Sequence, residues 1–182
     1  MSFVADELID IVDENNNPTG VSRMKYEAFR EGLWHRASHI WIYNSKGQML
    51  LQLRSKSKKI HANRWDIGAA GHVGASEEPL TTALRETKEE LGLDVKPSDF
   101  EFIKIVKRPA IGDGIIENEF QYAYLLKFDG NESTLKRQKE EVQEIRFFDL
   151  DLLEQELKSK KDLFSDRGEY WFDMIKEVRK RL

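Results

Sequence analysis

The spacing of apolar and polar positions changes period several times along the chain, and each change predicts an element. Residues 7–12 alternate toward a strand, Asp13 to Gly20 is dense in turn formers, and 21–24 can return antiparallel, giving an N-terminal hairpin over 7–24. Residues 25–32 read as a short helix. Two apolar-rich strands, 38–43 and 49–53, flank Asn44-Ser45-Lys46-Gly47, a second hairpin turn. A polar loop leads to Trp65, and 66–74 is glycine-rich with little helical character. Ser76 is then placed to cap a helix whose dipole Glu77 and Glu78 complement, whose first turn tolerates Pro79, and which Gly92 stops after Leu91. Leu80, Leu84, Thr87 and Leu91 form one apolar stripe along it. Strands over 102–107, 119–128 and 142–148 and C-terminal helices within 151–182, at 151–158 and 168–182, complete a mixed α and β pattern joined mostly by hairpins.

Composition narrows the class. The chain of 182 residues is 40% apolar, enough for one sizeable core, and no linker, repeat or low-complexity tract divides it, so residues 1–182 are expected to form a single domain. No apolar run approaches the ~18–20 residues of a membrane span. Basic and acidic residues nearly cancel, 29 against 33, so neither nucleic acid nor an anionic membrane is an expected partner. The absence of cysteine excludes disulfides, thiolate metal sites and a cysteine nucleophile. Residues 1–7 lack the basic and apolar regions of a signal peptide, which makes a cytoplasmic location the expectation.

The stretch from Gly71 to Leu93 carries the chemistry. Glu86, Glu89 and Glu90 stand at i, i+3 and i+4 of the expected helix, so ~100° of rotation per residue puts them on one face, away from the apolar stripe. Like charges so placed repel unless a cation neutralises them, and oxygen-rich carboxylate sites suit Mg²⁺ or Mn²⁺. An isolated pattern of this kind is most often a solvated acidic face. Here, however, the segment resembles the Nudix hydrolase signature, G-x5-E-x7-R-E-U-x-E-E-x-G-U with U a bulky aliphatic. It matches at Gly71, Glu77, Arg85, Glu86, Glu89, Glu90, Gly92 and Leu93, and departs at Thr87, whose hydroxyl can bond back to the carbonyl four residues earlier. The signature's fixed identities coincide by chance on the order of 10⁻⁸ per starting position.

The resemblance implies an α/β Nudix fold, an α/β/α sandwich around a mixed curved sheet, and hydrolysis of a diphosphate linkage in a small molecule with Mg²⁺ or Mn²⁺ as cofactor. Glu86, Glu89 and Glu90 would ligate metal, Glu89, Glu90 and Glu119 would be the catalytic carboxylates, and Gly71, Glu77, Arg85 and Gly92 would be structural, Glu77 and Arg85 as an ion pair. It also admits a homodimer. Over most of its length the chain further resembles the branch that includes type I isopentenyl-diphosphate isomerase. The marks are Asn17-Pro18-Thr19-Gly20, Lys25-Tyr26, His35-Arg36-Ala37, Arg54 with Ser57-Lys58-Lys59, Gly71-His72, the run Gly114 to Glu119, and Phe164-Ser165. That branch implies a second metal site at His35, His72, Glu117 and Glu119, with Phe29 near a missing histidine; the alternative is two hydrogen-bonded structural histidines. Lys25, Arg54 and Lys58 match positions facing the diphosphate, or form a solvated basic loop, and Trp65 and Trp171 either wall a pocket or fill the core. Ala70 stands where the isomerase has its catalytic cysteine, and Lys107 where it has a tyrosine, so hydrolysis is favoured over double-bond isomerisation or a non-catalytic diphosphate sensor. Glu117 and Glu119, two apart on a strand, should share a side, and a base at Glu119 facing the motif helix would have a raised pKa.

Overall fold

The computed structural model describes residues 7–57, 61–112 and 115–182. Strands β1 (Leu8–Val12) and β2 (Pro18–Met24) form a separate two-stranded sheet. Its turn is closed by the Asp13 carboxylate, which accepts the N–H groups of Asn15 and Asn17 at 2.8 and 2.9 Å. Helix α1 (Lys25–Glu31) follows and stops at Gly32, whose φ of 64° is the left-handed turn that glycine adopts without strain.

The main sheet has seven strands: β3 (His35–Asn44), β4 (Gln48–Arg54), β5 (Trp65–Ile67), β6 (Ala69–His72), β7 (Phe100–Gly112), β8 (Ile115–Lys127) and β9 (Val142–Asp149). β3 runs parallel to β8 and the other pairs are antiparallel, so the sheet is mixed. One edge of β3 is shared. Its end at 42–44 pairs with β4 and its beginning at 37–40 with β6, while β4 turns away to pair with β5 and β9. The glycine-rich stretch, read only as having little helical character, thus supplies β5 and β6, which line the fork between β3 and β4. Gly68 sits in the crotch, where a Cβ would meet Ile42 at 3.0 Å and the Ile40 carbonyl at 3.2 Å.

Helices cover both faces. On one side α2 (Pro79–Leu91) packs on Ile40, Ile42 and Ala69, and Ser38 donates to the Pro79 carbonyl at 2.6 Å. On the other, α3 (Leu150–Ser159) and α4 (Glu169–Arg179) cover Trp41, Met49, Leu51 and Leu125. Side chains alternate along a strand, so His35, His39 and Trp41 point toward α4, and Ser38 and Ile40 toward α2. Among the described residues no helix is long and apolar enough to cross a membrane.

Two local expectations are corrected. Ser76 does not cap α2. It adopts φ 63° and gives its N–H to Asp10 at 2.8 Å, while Glu78 takes the cap position without a side-chain bond. The buried face of α2 is Pro79, Thr82, Ala83, Thr87, Glu90 and Leu91, with Leu80 and Leu84 only half-buried. The helix is rotated from the apolar stripe toward its glutamates, and Thr87 Oγ1 donates to the Ala83 carbonyl at 2.7 Å as expected.

Candidate active site

The rotation of α2 sets the three motif glutamates at different depths. Glu86 and Glu90 turn inward against the fork and are buried or nearly so, whereas Glu89 stays half exposed beside Arg85. On the face they share, two carboxylates thus turn inward and one stays at the solvent edge, Glu86 and Glu89 both meeting Arg85 Nη1. Burial is what pushes the Glu86 carboxyl up to about 7, against Arg85 and with Glu89 and Glu7 adding, and Glu90 up to about 8, with Glu86 and Glu141 adding. Glu90 Oε2 accepts the Ala70 N–H and the Gln52 Nε2, each at 3.2 Å. A methyl group on the Gly71 Cα would overlap the Glu86 carboxylate in its present position, so glycine leaves that carboxylate its room.

Arg85 fastens the motif loop to the helix. It reaches Glu77 through Nε at 3.2 Å and Nη2 at 3.1 Å, the His72 carbonyl at 3.3 Å, Glu86 at 2.5 Å and Glu89 at 3.3 Å. Glu77 in turn accepts from the Gly74 N–H and the Thr82 hydroxyl at 3.1 and 2.6 Å. Gly92, at φ 68°, ends the helix.

A second cluster lies across β6. His72 and Gly71 are consecutive on that strand, so while Gly71 faces Glu86, His72 faces the α4 side. There its Nε2 stands 3.4 Å from Glu119 and 3.6 Å from Glu117, and His35 Nε2 is 3.6 Å from Glu119. Ligand atoms of His35, His72 and Glu119 all lie within 4.8 Å of one another. His35 Nδ1 is 3.0 Å from the Leu33 carbonyl, an approach that places a proton on Nδ1; the buried Nε2 has no hydrogen-bond partner among the described residues. Phe29 packs 5.4 Å from both imidazole rings. Burial acts against the charged His72 ring, but Glu117 and Glu119 outweigh it and push the ring up to about 9. Burial would raise Glu119 too, yet the facing His35 and His72 rings hold it well below the usual carboxylate range. Glu117 and Glu119 do share a side, but it is the side away from α2, and the expected raised pKa of Glu119 is corrected to a lowered one.

Of the basic residues singled out, Lys25 pairs with Glu7 at 3.6 Å and Arg54 with Asp66 at 3.6 Å; Lys58 lies outside the described residues. Lys25 thus stands at the second cluster and Arg54 at the fork, where it also tempers the Glu90 carboxyl. Three residues of the site were missed. Glu7 spans the two clusters, 4.0 Å from His72 and 3.8 Å from Arg85. Asp66 and Arg167 form a buried two-bond pair at 2.6 and 2.9 Å. No local pattern could reveal partners a hundred residues apart. Trp171 belongs to the core, edge-on to Trp41 with its Nε1 on the Ser165 carbonyl, and Trp65 packs on Phe148. Lys107 points away from Glu119, over the Trp34 ring to the Glu14 carbonyl at 2.6 Å.

Comparison with known proteins matches the NUDIX domain family over residues 33–168. Nudix hydrolase 3 of Arabidopsis thaliana is 40% identical over 126 residues, 68% of this chain but only 16% of that longer protein. The isopentenyl-diphosphate Delta-isomerase of Serratia proteamaculans is 34% identical over 125 residues, 69% of this chain and 68% of that one. An uncharacterized Nudix hydrolase of Clostridium acetobutylicum is 31% identical over 160 residues, 86% and 77% of the two chains. Among solved structures, a Deinococcus radiodurans protein superposes with a TM-score of 0.73 at 18% identity, covering 94% of this chain and 98% of that one. The NUDIX domain of Shewanella oneidensis NrtR, solved with ADP ribose, does so at 0.59 and 14% identity over 81% and 88%. At these identities the likeness establishes the fold, which is the layered α/β one expected.

Proposed function

Since the chain belongs to the Nudix family, we propose that it is a hydrolase that cleaves a diphosphate linkage in a small organic diphosphate and depends on Mg²⁺ or Mn²⁺. The observation that carries the reading is the pair of inward carboxylates, Glu86 and Glu90. Arg85 is the cation bonded to Glu86, and Glu90 accepts from neutral N–H donors. Two buried carboxylates with so little compensation fit a hard divalent cation, and Glu86 and Glu90 would hold it, with Glu89 at the solvent side. When bound, such an ion offsets the charge that develops on phosphoryl oxygens.

The protein's own groups then divide the work. Glu89, half exposed, is the carboxylate best placed to exchange a proton with incoming water. Lys25 and Arg54, at the edges of the two clusters, would receive phosphate oxygens. His35 Nε2, together with His72, Glu117 and Glu119, makes a second set of donors suited to a cation. In this reading Glu119 is a permanently ionised ligand and carries no proton. Isomerisation is disfavoured on two counts. The Ala70 methyl cannot move a proton, and Lys107 faces the wrong way to replace the missing partner.

A screen of organic diphosphates with Mg²⁺ and Mn²⁺, reading release of phosphate or monophosphate esters, tests the proposal. Turnover that disappears in Glu90→Gln supports it. Activity unaffected by that change and by chelators refutes it.

A further inference from the structure

Gln52 is a neighbour of Glu90 that the motif does not specify. It stands on β4, where the strand leaves β3 for β5, and it is 2% exposed. Its Nε2 donates to Glu90 Oε2 at 3.2 Å, the oxygen that already accepts the Ala70 N–H. Its Oε1 is buried and has no hydrogen-bond partner among the described residues.

That arrangement is unfavourable as it stands. An unsatisfied buried acceptor costs more than one neutral hydrogen bond returns. A methionine or leucine would fill similar space without the orphaned oxygen. The residue is therefore poorly explained by packing, and its oxygen sits beside a carboxylate that a cation suits.

We propose that the Gln52 side-chain oxygen is a further ligand to the divalent cation held by Glu86 and Glu90; this rests on the metal-dependent reading above. Amide oxygens are ordinary donors to hard cations. The terminal amide carries its oxygen and nitrogen on one planar carbon, so a half-turn exchanges them. In the metal-free protein the N–H faces Glu90, and with the ion present the oxygen takes its place. A neutral donor also has an advantage at this position. Another carboxylate would add to the repulsion between Glu86 and Glu90, whereas an amide adds a ligand with no charge.

The test is Mn²⁺ binding to the whole protein at pH 8, read from the electron paramagnetic resonance signal of the free ion. Glu90→Gln identifies the ion at stake. Gln52→Met should weaken its binding ten- to a hundredfold while the metal-free variant melts at or above the wild-type temperature. Gln52→Glu, which keeps an oxygen donor, should bind at least as tightly as wild type and gain more thermal stability from the ion. If Glu90→Gln weakens binding but Gln52→Met stays within twofold of wild type, the role of Gln52 is overturned and the metal reading stands. If wild type and Glu90→Gln bind alike, the metal reading itself falls and takes this one with it. Should Gln52→Met fail to fold, Gln52→Glu decides, and a tenfold loss of binding in it overturns the proposal.

Discussion

Replacing Glu90 by glutamine should stabilise the metal-free protein at pH 8 far more than at pH 5. Burial, then Glu86 and Glu141, push this carboxyl up to about 8 from an ordinary 4.5. A group whose folded pKa is raised binds its proton more tightly folded than unfolded. Its stabilisation is full below pH 4.5 and is lost as the pH climbs through 8. At ~1.4 kcal/mol per unit, the loss attributable to Glu90 between pH 5 and 8 is roughly 3 kcal/mol. Glutamine has nothing to titrate, and its carbonyl can still accept the Ala70 N–H. Urea unfolding of both proteins in EDTA at pH 5 and 8 measures the effect. His72, also raised and falling in the same direction above pH 6.5, titrates in both proteins and cancels in the difference, whereas Glu86, raised to about 7 and repelling Glu90, does not, so the difference reports the two carboxylates together. The variant's advantage should grow by roughly 3 kcal/mol across that interval, and saturating Mn²⁺ should erase it by stabilising wild type alone. A difference that stays flat with pH, or a variant less stable at pH 8, would refute the reasoning.

Gly71→Ala should lower the melting temperature and impair Mn²⁺ binding in wild type, but lower it little in a Glu86→Ala background, because the added methyl group conflicts with the Glu86 carboxylate; equal destabilisation in both backgrounds would place the strain elsewhere. Arg167→Met, which leaves Asp66 buried without its two-bond partner, should cost about 3–5 kcal/mol in urea unfolding, and the double change Asp66→Leu with Arg167→Met should cost less. Glu119→Gln in metal-free protein should bring the His72 titration, followed by NMR, down from about 9 by about one unit or more, since Glu119 is one of two carboxylates that keep the ring charged. Incubation with isopentenyl diphosphate should yield no double-bond isomer from wild type or from Ala70→Cys; robust isomerisation by wild type would overturn the choice of reaction.

How much of this was legible beforehand depended on whether the cause was local. The N-terminal hairpin, the 44–47 turn, the stop at Gly92 and the Thr87 back-bond follow from neighbours within a few positions, and the chain pattern shows them. The Arg85–Glu77 pair was readable only through the signature. Three features were not readable. The rotation of α2 depends on what the fork between β3 and β4 accepts, so Glu86 and Glu90 face inward where periodicity placed them only on a face away from the apolar stripe. β5 and β6 are short and glycine-rich, and they are strands only because β3 and β4 diverge and leave edges to pair. Glu119 could be placed on the same side as Glu117, but which layer that side met, and hence the direction of its pKa, depended on the parallel pairing of β3 with β8.

That same pairing constrains the order in which the molecule can acquire its chemistry as it folds. His35 and Glu119 are direct neighbours across a parallel ladder, and everything between them in sequence forms the intervening loop. Closing so long a loop is a slow and entropically expensive step. The hairpins β1–β2 and β7–β8, by contrast, need only nearby residues. On a chain emerging from the ribosome, His35 and His72 therefore wait without their carboxylate partner until β8 has been made. The His72 ring should lose its raised pKa in any fragment that ends before residue 115, and the cluster should arise late, together with the closure of the sheet.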